Sequence, residues 1–305
     1  MVSVVIPCYN QARFLGEAIQ SVLAQTWSGA EIIVVDDGST DDTVKIAKGY
    51  REVRCQSQRN QGQGAARNEG LKQASGEFVV FLDSDDRLLP HAFQVGLQCF
   101  EAHPDVALVA GRCVSVGVDG VQRATLYEPV VEQNHYIRLL LGNYIWMPGA
   151  AMLRTAVVRE AGGFKTTVSG AEDYDLYLRI ARHHRIWCHD QVIAEYRQHD
   201  TSTSHKPMLM MRSSLSVIRA QQEAVSGDPP AERAWRQGIR NLQHKYGEQL
   251  ITAVRRHWRA REWKYAASGL TGLLLYHPAG LIHHACRKIS RVARGYSPES
   301  SDAIS

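Results

Sequence analysis

The residues best suited to chemistry stand together at positions 83–86, where Asp83-Ser84-Asp85-Asp86 directly follows the apolar run Phe78-Val79-Val80-Phe81-Leu82. Three carboxylates at one strand end make a set of hard oxygen donors. Such a set suits Mg²⁺ or Mn²⁺, which keep several waters and complete their shell with phosphate oxygens. A diphosphate is the expected ligand. One of these acids can instead cap the helix expected from Pro90, which leaves the other two without a use.

A second acidic pair, Asp36-Asp37, closes the apolar run at 32–35 and leads into Gly38-Ser39-Thr40-Asp41-Asp42-Thr43. An ionised aspartate there accepts hydrogen bonds from a base N–H or a ribose hydroxyl, or else shapes the turn and caps the next helix. Pro7-Cys8-Tyr9-Asn10 ends the first apolar run, where the Tyr9 ring suits stacking on a base. Gly62-Gln63-Gly64-Ala65-Ala66-Arg67-Asn68-Glu69-Gly70 supplies a flexible loop and a helix start from which Arg67 can reach a phosphate or nucleoside oxygen. It lacks the Gly-Lys-Ser/Thr of a Walker loop.

These residues can meet only if a sheet brings its strand ends to one edge. Residues 2–7 form a continuous β-branched run, the pattern of a strand buried on both faces of a parallel sheet. Leu15, Ala18, Ile19, Val22 and Leu23 then recur at helical spacing. The pattern repeats with strands expected at 32–35, 53–56 and 78–82 and helices at 41–50 and 64–74. This alternation predicts a mostly parallel α/β sheet with flanking helices and ligands at the carboxyl ends of its strands. After a helix at 90–103, residues 106–118 and 121–126 around Asp119-Gly120 read as a hairpin, so the second half mixes strand directions. A helix at 133–141, a strand at 150–153 and helices at 155–161 and 171–183 follow. From 207 onward the reading is helical, to about 225, then at 231–256, 262–275 and 279–293, with a frayed tail at 297–305. The expected organisation is a catalytic domain at 1–205, a helical region at 206–296 and the tail.

Bulk properties exclude a disordered or fibrous protein: 305 residues, 44% of them apolar, suffice for one large α/β domain, alone or with a smaller appendage. Six cysteines without CxxC or framework spacing read as reduced thiols, and the N-terminal run lacks a secretion pattern. A cytoplasmic protein, peripheral at the inner face of the cell membrane if it touches one, is the expectation. No run of apolar residues is long enough to span a bilayer.

Taken in order, Ser3-Val4-Val5-Ile6-Pro7-Cys8-Tyr9-Asn10, Val34-Val35-Asp36-Asp37-Gly38-Ser39-Thr40-Asp41, Ala65-Ala66-Arg67-Asn68-Glu69-Gly70 and Phe81-Leu82-Asp83-Ser84-Asp85-Asp86 resemble the family-2 glycosyltransferases with the GT-A fold, over roughly residues 2–205. The resemblance implies that Pro7, Tyr9 and Asp37 border the nucleobase of a nucleotide-diphosphate sugar and that Asp36 and Arg67 support the nucleotide site. It implies that Asp83, Asp85 and Asp86 handle ribose, diphosphate and a Mn²⁺ or Mg²⁺ ion. Gly162-Gly163-Phe164 and Ala171-Glu172-Asp173-Tyr174-Asp175-Leu176 look like the family's acceptor-side motifs, in which Asp173, with Glu172 as runner-up, is the catalytic base that deprotonates a hydroxyl acceptor. A helix-start dipole effect is the plainer account of that acidic pair. Tyr196-Arg197-Gln198-His199 resembles a further family pattern, which brings His199 toward the metal or diphosphate, with Arg197 as a second phosphate candidate. The implied reaction is an inverting single displacement; a nucleotidyltransferase or a non-catalytic nucleotide-sugar binding module are the alternatives.

Charge is divided along the chain. Residues 231–305 hold 13 Lys and Arg against 5 Asp and Glu, a net +8, which leaves −4 for the rest of a chain whose total is +4. The stretch Val254-Arg255-Arg256-His257-Trp258-Arg259-Ala260-Arg261-Glu262-Trp263-Lys264-Tyr265 interleaves cations with aromatics. A solvated helix face or an anionic membrane surface account for it; nucleic acid is not an expected partner.

Overall fold

In the computed structural model, which describes residues 1–126, 130–200 and 202–278, the chain begins with three strand-helix units. These are β1 (Val2–Cys8), α1 (Ala12–Leu23), β2 (Ala30–Asp36), α2 (Thr43–Lys48), β3 (Val53–Ser57) and α3 (Gln63–Gln73). All seven residues of β1 are buried, as a strand between two helical layers must be. Its lone polar residue, Ser3, is satisfied: the hydroxyl donates to Glu31 at 2.6 Å and accepts from the Gly76 N–H at 2.8 Å. Helix α3 lies very close to β1 because Gly70 has no side chain; a Cβ there would stand 2.3 Å from Val5 Cγ1.

Next come β4 (Phe78–Phe81), β5 (Arg87–Leu88), α4 (Ala92–Ala102), β6 (Val106–Val116), β7 (Gln122–Leu126), α5 (His135–Leu141), β8 (Ala151–Arg154), α6 (Thr155–Glu160), α7 (Glu172–Ala181) and β9 (Arg185–Arg197). The sheet runs β3-β2-β1-β4-β8-β6-β9-β5, with β7 paired to β6. Strands β1 to β4 are mutually parallel, β8 opposes β4 and β6, and β6 runs parallel to β9. The carboxyl ends of β1, β2, β4 and β9 therefore share one edge. The expected hairpin forms, with Cys113 opposite Leu126.

Two features depart from expectation. The 13-residue β9 is interrupted at His189-Asp190-Gln191, which have no partner in β6, where the register steps from Ala110 opposite Cys188 to Arg112 opposite Val192. The helix expected to reach 225 breaks at Ala220-Gln221 into α8 (Pro207–Arg219) and α9 (Gln222–Val225). The chain continues as α10 (Pro229–Arg259) and α11 (Trp263–Tyr276). The helix expected at 279–293 and the tail at 297–305 lie outside the described residues.

One apolar cluster packs Val4, Ile6, Leu15 and Ile19 against Phe93 and Val109 on one face of the sheet. On the other face Val5, Phe81, Leu108 and Leu139 join Tyr177, Leu215, Ile218 and Leu250 in a cluster that runs unbroken into the C-terminal helices. Helix α10 meets α5 at Gly238, where a Cβ would fall 1.8 Å from the Leu140 carbonyl oxygen, and Asn241 donates to the Leu141 carbonyl at 3.0 Å. These contacts fix α10 beside the site.

Candidate active site

The turn after β1 sets the first wall. Asn10 adopts φ 53°, its Oδ1 accepts from the Thr40 N–H at 2.8 Å, and the Asn10 N–H donates to Ser39 Oγ at 2.9 Å. This locks the β1 and β2 ends together and leaves Tyr9, 48% exposed, on the lip of the cleft. Asp36 is buried, and its Oδ1 accepts from the Ser39 N–H at 2.9 Å. Asp37 Oδ1 accepts from Gln58 Nε2 at 2.7 Å and from the Gln61 N–H at 2.9 Å, while Oδ2 accepts from the Gly62 N–H at 2.8 Å. It thus ties β2 to the loop that starts α3, where Gly62 takes φ 89°.

The three acids after β4 occupy different depths. Asp83 and Asp85 keep 20% and 21% of their side-chain surface exposed, and both line the cleft. Asp86 is 2% exposed, and its Oδ1 accepts from the Arg197 N–H at 2.8 Å, joining β4 to β9 across 111 positions. Burial first, then the charges of Asp85 and Asp83, push the Asp86 carboxyl well above the usual carboxylate range. Asp83 is also raised, by burial and by Asp85, against the pull of Arg67. His199, buried and packed 5.1 Å from the Phe14 ring, brings Nε2 to 2.7 Å from Asp85 Oδ2. Two partly exposed carboxylates, a neighbouring imidazole and a crowd of negative charge fit a divalent cation.

Arg197 does not serve the cleft. Its guanidinium is 2% exposed, donates to Glu17 Oε2 at 2.6 Å and to the Asp85 carbonyl at 2.9 Å, and lies over the Phe14 ring. It braces the acidic turn from behind.

Arg67, 2% exposed on α3, donates to Asp83 Oδ1 at 2.7 Å and lies over the Phe164 ring. Its Nε has no hydrogen-bond partner among the described residues. Phe164 is held by Asn68, whose Nδ2 donates to its carbonyl at 2.7 Å and whose Oδ1 accepts from its N–H at 2.8 Å. Gly163, at φ 66°, lies too near Asn68 to carry a side chain. Arg179 donates to the Gly163 carbonyl at 2.7 Å and to Asp175 at 2.8 Å, which fixes the start of α7.

At that start the two candidate bases separate. Glu172 is 4% exposed, and its Oε2 accepts from the Gly170 N–H at 2.8 Å, so it shapes the loop. Asp173 is partly exposed; Asn143 Nδ2 approaches its Oδ2 at 3.5 Å. Burial pushes the Asp173 carboxyl up to about 6, against the opposing pull of Arg67.

Two cavities meet along this edge. A cavity of about 240 Å³ is lined by Pro7, Tyr9, Asp37, Asp83, Asp85, Asp86 and His199. A larger one, about 490 Å³, is lined by Arg67, Glu172, Asp173, Asn143, Trp146 and, from α10, Asn241, Lys245 and Tyr246. Gln63, Asp83 and Tyr196 belong to both walls. Asp36 lies behind the first wall, outside either cavity lining. Sequence reasoning did not single out Gln63, whose Nε2 donates to Asp83 Oδ1 at 2.8 Å, nor Asn143, Trp146 and Lys245. The Gly62-Gln63-Gly64 loop was a signal for the first; the others come from segments with no local signature.

This architecture is shared with solved proteins. A mannosyltransferase from Pyrobaculum calidifontis, in complex with GDP-Man and Mn²⁺, superposes with a TM-score of 0.61 at 19% identity, covering 97% of this chain and 81% of that one. S. aureus TarS 1–349, in complex with UDP-GlcNAc, gives 0.56 at 20% identity over 88% and 90%. The fold is of the GT-A type. Among curated relatives, Escherichia coli chondroitin synthase is 28% identical over 218 residues, 68% of this chain and 30% of that protein. Against it and two uncharacterized glycosyltransferases, from Nostoc sp. and Rickettsia felis, the chain spans about a third of the relative's length. A family model matches residues 3–162, just over half of the chain and all the donor-side strand-end motifs up to Asp86, and by that match the chain belongs to glycosyl transferase family 2.

Proposed function

We propose that this chain transfers a glycosyl group from a nucleotide-diphosphate sugar to a hydroxyl acceptor, with inversion at the anomeric carbon and dependence on Mn²⁺ or Mg²⁺. One observation carries the reading: Asp173, a carboxyl raised to about 6, faces a cavity that shares the Asp83 wall with the acidic cleft. A base beside a diphosphate-type site is what a single displacement needs. The nucleotide sugars bound by two proteins of the same fold, one with Mn²⁺, support the donor class.

In this reading Pro7, Tyr9 and Asp37 border the nucleobase in the smaller cavity, and Asp36 shapes the turn behind them. Arg67 holds Asp83, which faces ribose and diphosphate. Asp85 and His199 hold the metal, while Asp86, pinned to β9, sets the position of their turn. Bound there, Mn²⁺ or Mg²⁺ supplies positive charge against the charge that builds on the leaving diphosphate. Asp173 takes the acceptor proton as the hydroxyl attacks opposite the leaving group, and Glu172 keeps the loop before α7 in place. No covalent enzyme intermediate is needed.

The acceptor, a glycan or lipid-linked glycan, enters the larger cavity, where α10 supplies Asn241, Lys245 and Tyr246. Residues 1–205 are thus the catalytic part and the helices after 206 complete its acceptor side. No helix among the described residues is long and apolar enough to cross a membrane. The α10–α11 turn instead exposes Trp258, Trp263 and Tyr265 beside Arg255, Arg256, Arg259, Arg261 and Lys264, with Leu274 and Leu275 also exposed along α11. That mixture suits an anionic membrane surface at the cytoplasmic face, which would bring the site to a lipid-linked acceptor in cell-surface polysaccharide or glycolipid synthesis.

Equilibrium binding of a nucleotide-sugar panel with Mn²⁺, Mg²⁺ or EDTA tests the donor reading. A single preferred donor, bound with metal and lost in Asp85→Asn, is expected. Binding of no donor in the presence of metal contradicts it.

A further inference from the structure

The C-terminal end of α11 returns to the middle of α10, and three metal-ligating side chains meet there. His244 and Glu248 stand four residues apart on α10 and so share a helix face. His277, which follows the last residue of α11, reaches the same place from the other helix. One ligating atom from each of the three lies within 4.8 Å of the others. The two imidazole rings are 6.2 Å apart between centroids, at 65°.

Gly247 makes this meeting possible. A Cβ at that position would stand 2.4 Å from His277 Cδ2, so the imidazole rests on bare helix backbone between His244 and Glu248. None of the three residues lines either cavity of the transfer site.

We propose that His244, Glu248 and His277 form a second metal site, selective for a borderline transition-metal ion of the Zn²⁺ kind, that staples the end of α11 to α10. Two imidazoles and one carboxylate match that ion and differ from the carboxylate-rich cleft, which suits Mn²⁺ or Mg²⁺. Tetrahedral Zn²⁺ at about 2.0–2.1 Å from nitrogen and oxygen ligands holds its donor atoms about 3.3 Å apart. Closing to that spacing takes side-chain rotation of the exposed His244 and the half-buried Glu248. The fourth position is open to water. An ion bound only by the packed helices stabilises that packing.

The test uses the full chain carrying Asp85→Asn, so that the cleft does not compete, stripped with chelator and titrated with ZnCl₂ by calorimetry. A single equivalent of Zn²⁺ is expected, with a rise in Tm on binding. Affinity should fall at least ~10-fold in Glu248→Gln and in His277→Asn and disappear in the His244→Ala, His277→Ala pair. Gly247→Ala, which keeps all three ligands and displaces the imidazole, should also weaken it. Co²⁺ in place of Zn²⁺ should give the intense visible absorption of a tetrahedral site, lost in His277→Asn. Absence of Zn²⁺ uptake by the Asp85→Asn chain, or uptake unchanged by the His244 and His277 substitutions, overturns the proposal.

Discussion

Asp173 is partly exposed, is raised to about 6 and lines the larger cavity, apart from the Asp85–His199 pair, which lines the smaller one. A general base acts deprotonated, so kcat/KM should rise with pH through about 6 and fall below it; a pH profile on the preferred donor checks this. Glu172→Gln should keep that limb, because its carboxylate serves the Gly170 N–H. The acidic cluster was legible in the sequence because strand end and carboxylates are adjacent. The separate duties of its members were not. Asp86 is committed to the Arg197 N–H from 111 positions away, and Arg197 to Glu17 from 180, pairings that no local spacing announces.

Among the elements, α3 and α7 are coupled through a single side chain. Asn68 clamps Phe164 with two hydrogen bonds, and Phe164 supports Arg67 while Gly163 anchors Arg179 of α7. Asn68→Ala should cost about 1–3 kcal/mol, since it strands two buried backbone groups. The accompanying fall in Tm is measurable by calorimetry, and kcat should drop more than donor affinity because α7 carries Asp173. The alternating strands and helices of residues 2–126 were readable from periodicity, which depends only on neighbours in sequence. The interruption of β9 was not, because nothing in the local sequence announces that His189-Asp190-Gln191, between the β6-paired Cys188 and Val192, lack partners in β6.

At the scale of the whole molecule, the C-terminal helices share an apolar core with the sheet. They extend the core that covers one face of the sheet, and α10 lines the larger cavity. Gly238→Ala places a methyl against the Leu140 carbonyl, so α10 must shift. We expect a loss of stability of about 1–3 kcal/mol, with acceptor KM raised and donor affinity kept. The basic, aromatic α10–α11 turn leads to a second expectation. Sedimentation with anionic vesicles should capture the chain, capture should weaken with salt, and each Arg→Ser change among Arg255, Arg256 and Arg259 should remove about 1 kcal/mol of binding. Neutral vesicles that bind equally well would count against membrane attachment through this turn. The charge division of the sequence pointed to a distinct C-terminal region, but its share in the core depends on contacts such as Gly238 with Leu140 that only the folded chain brings together.

The central claim is that Asp173 is the base of a metal-dependent transfer, and release of nucleoside diphosphate from the preferred donor and acceptor by Asp173→Asn tests it most directly. The predicted result is a loss of about 10²–10⁴-fold in turnover with metal-dependent donor binding unchanged. An Asp173→Asn chain that turns over like the parent would contradict the account.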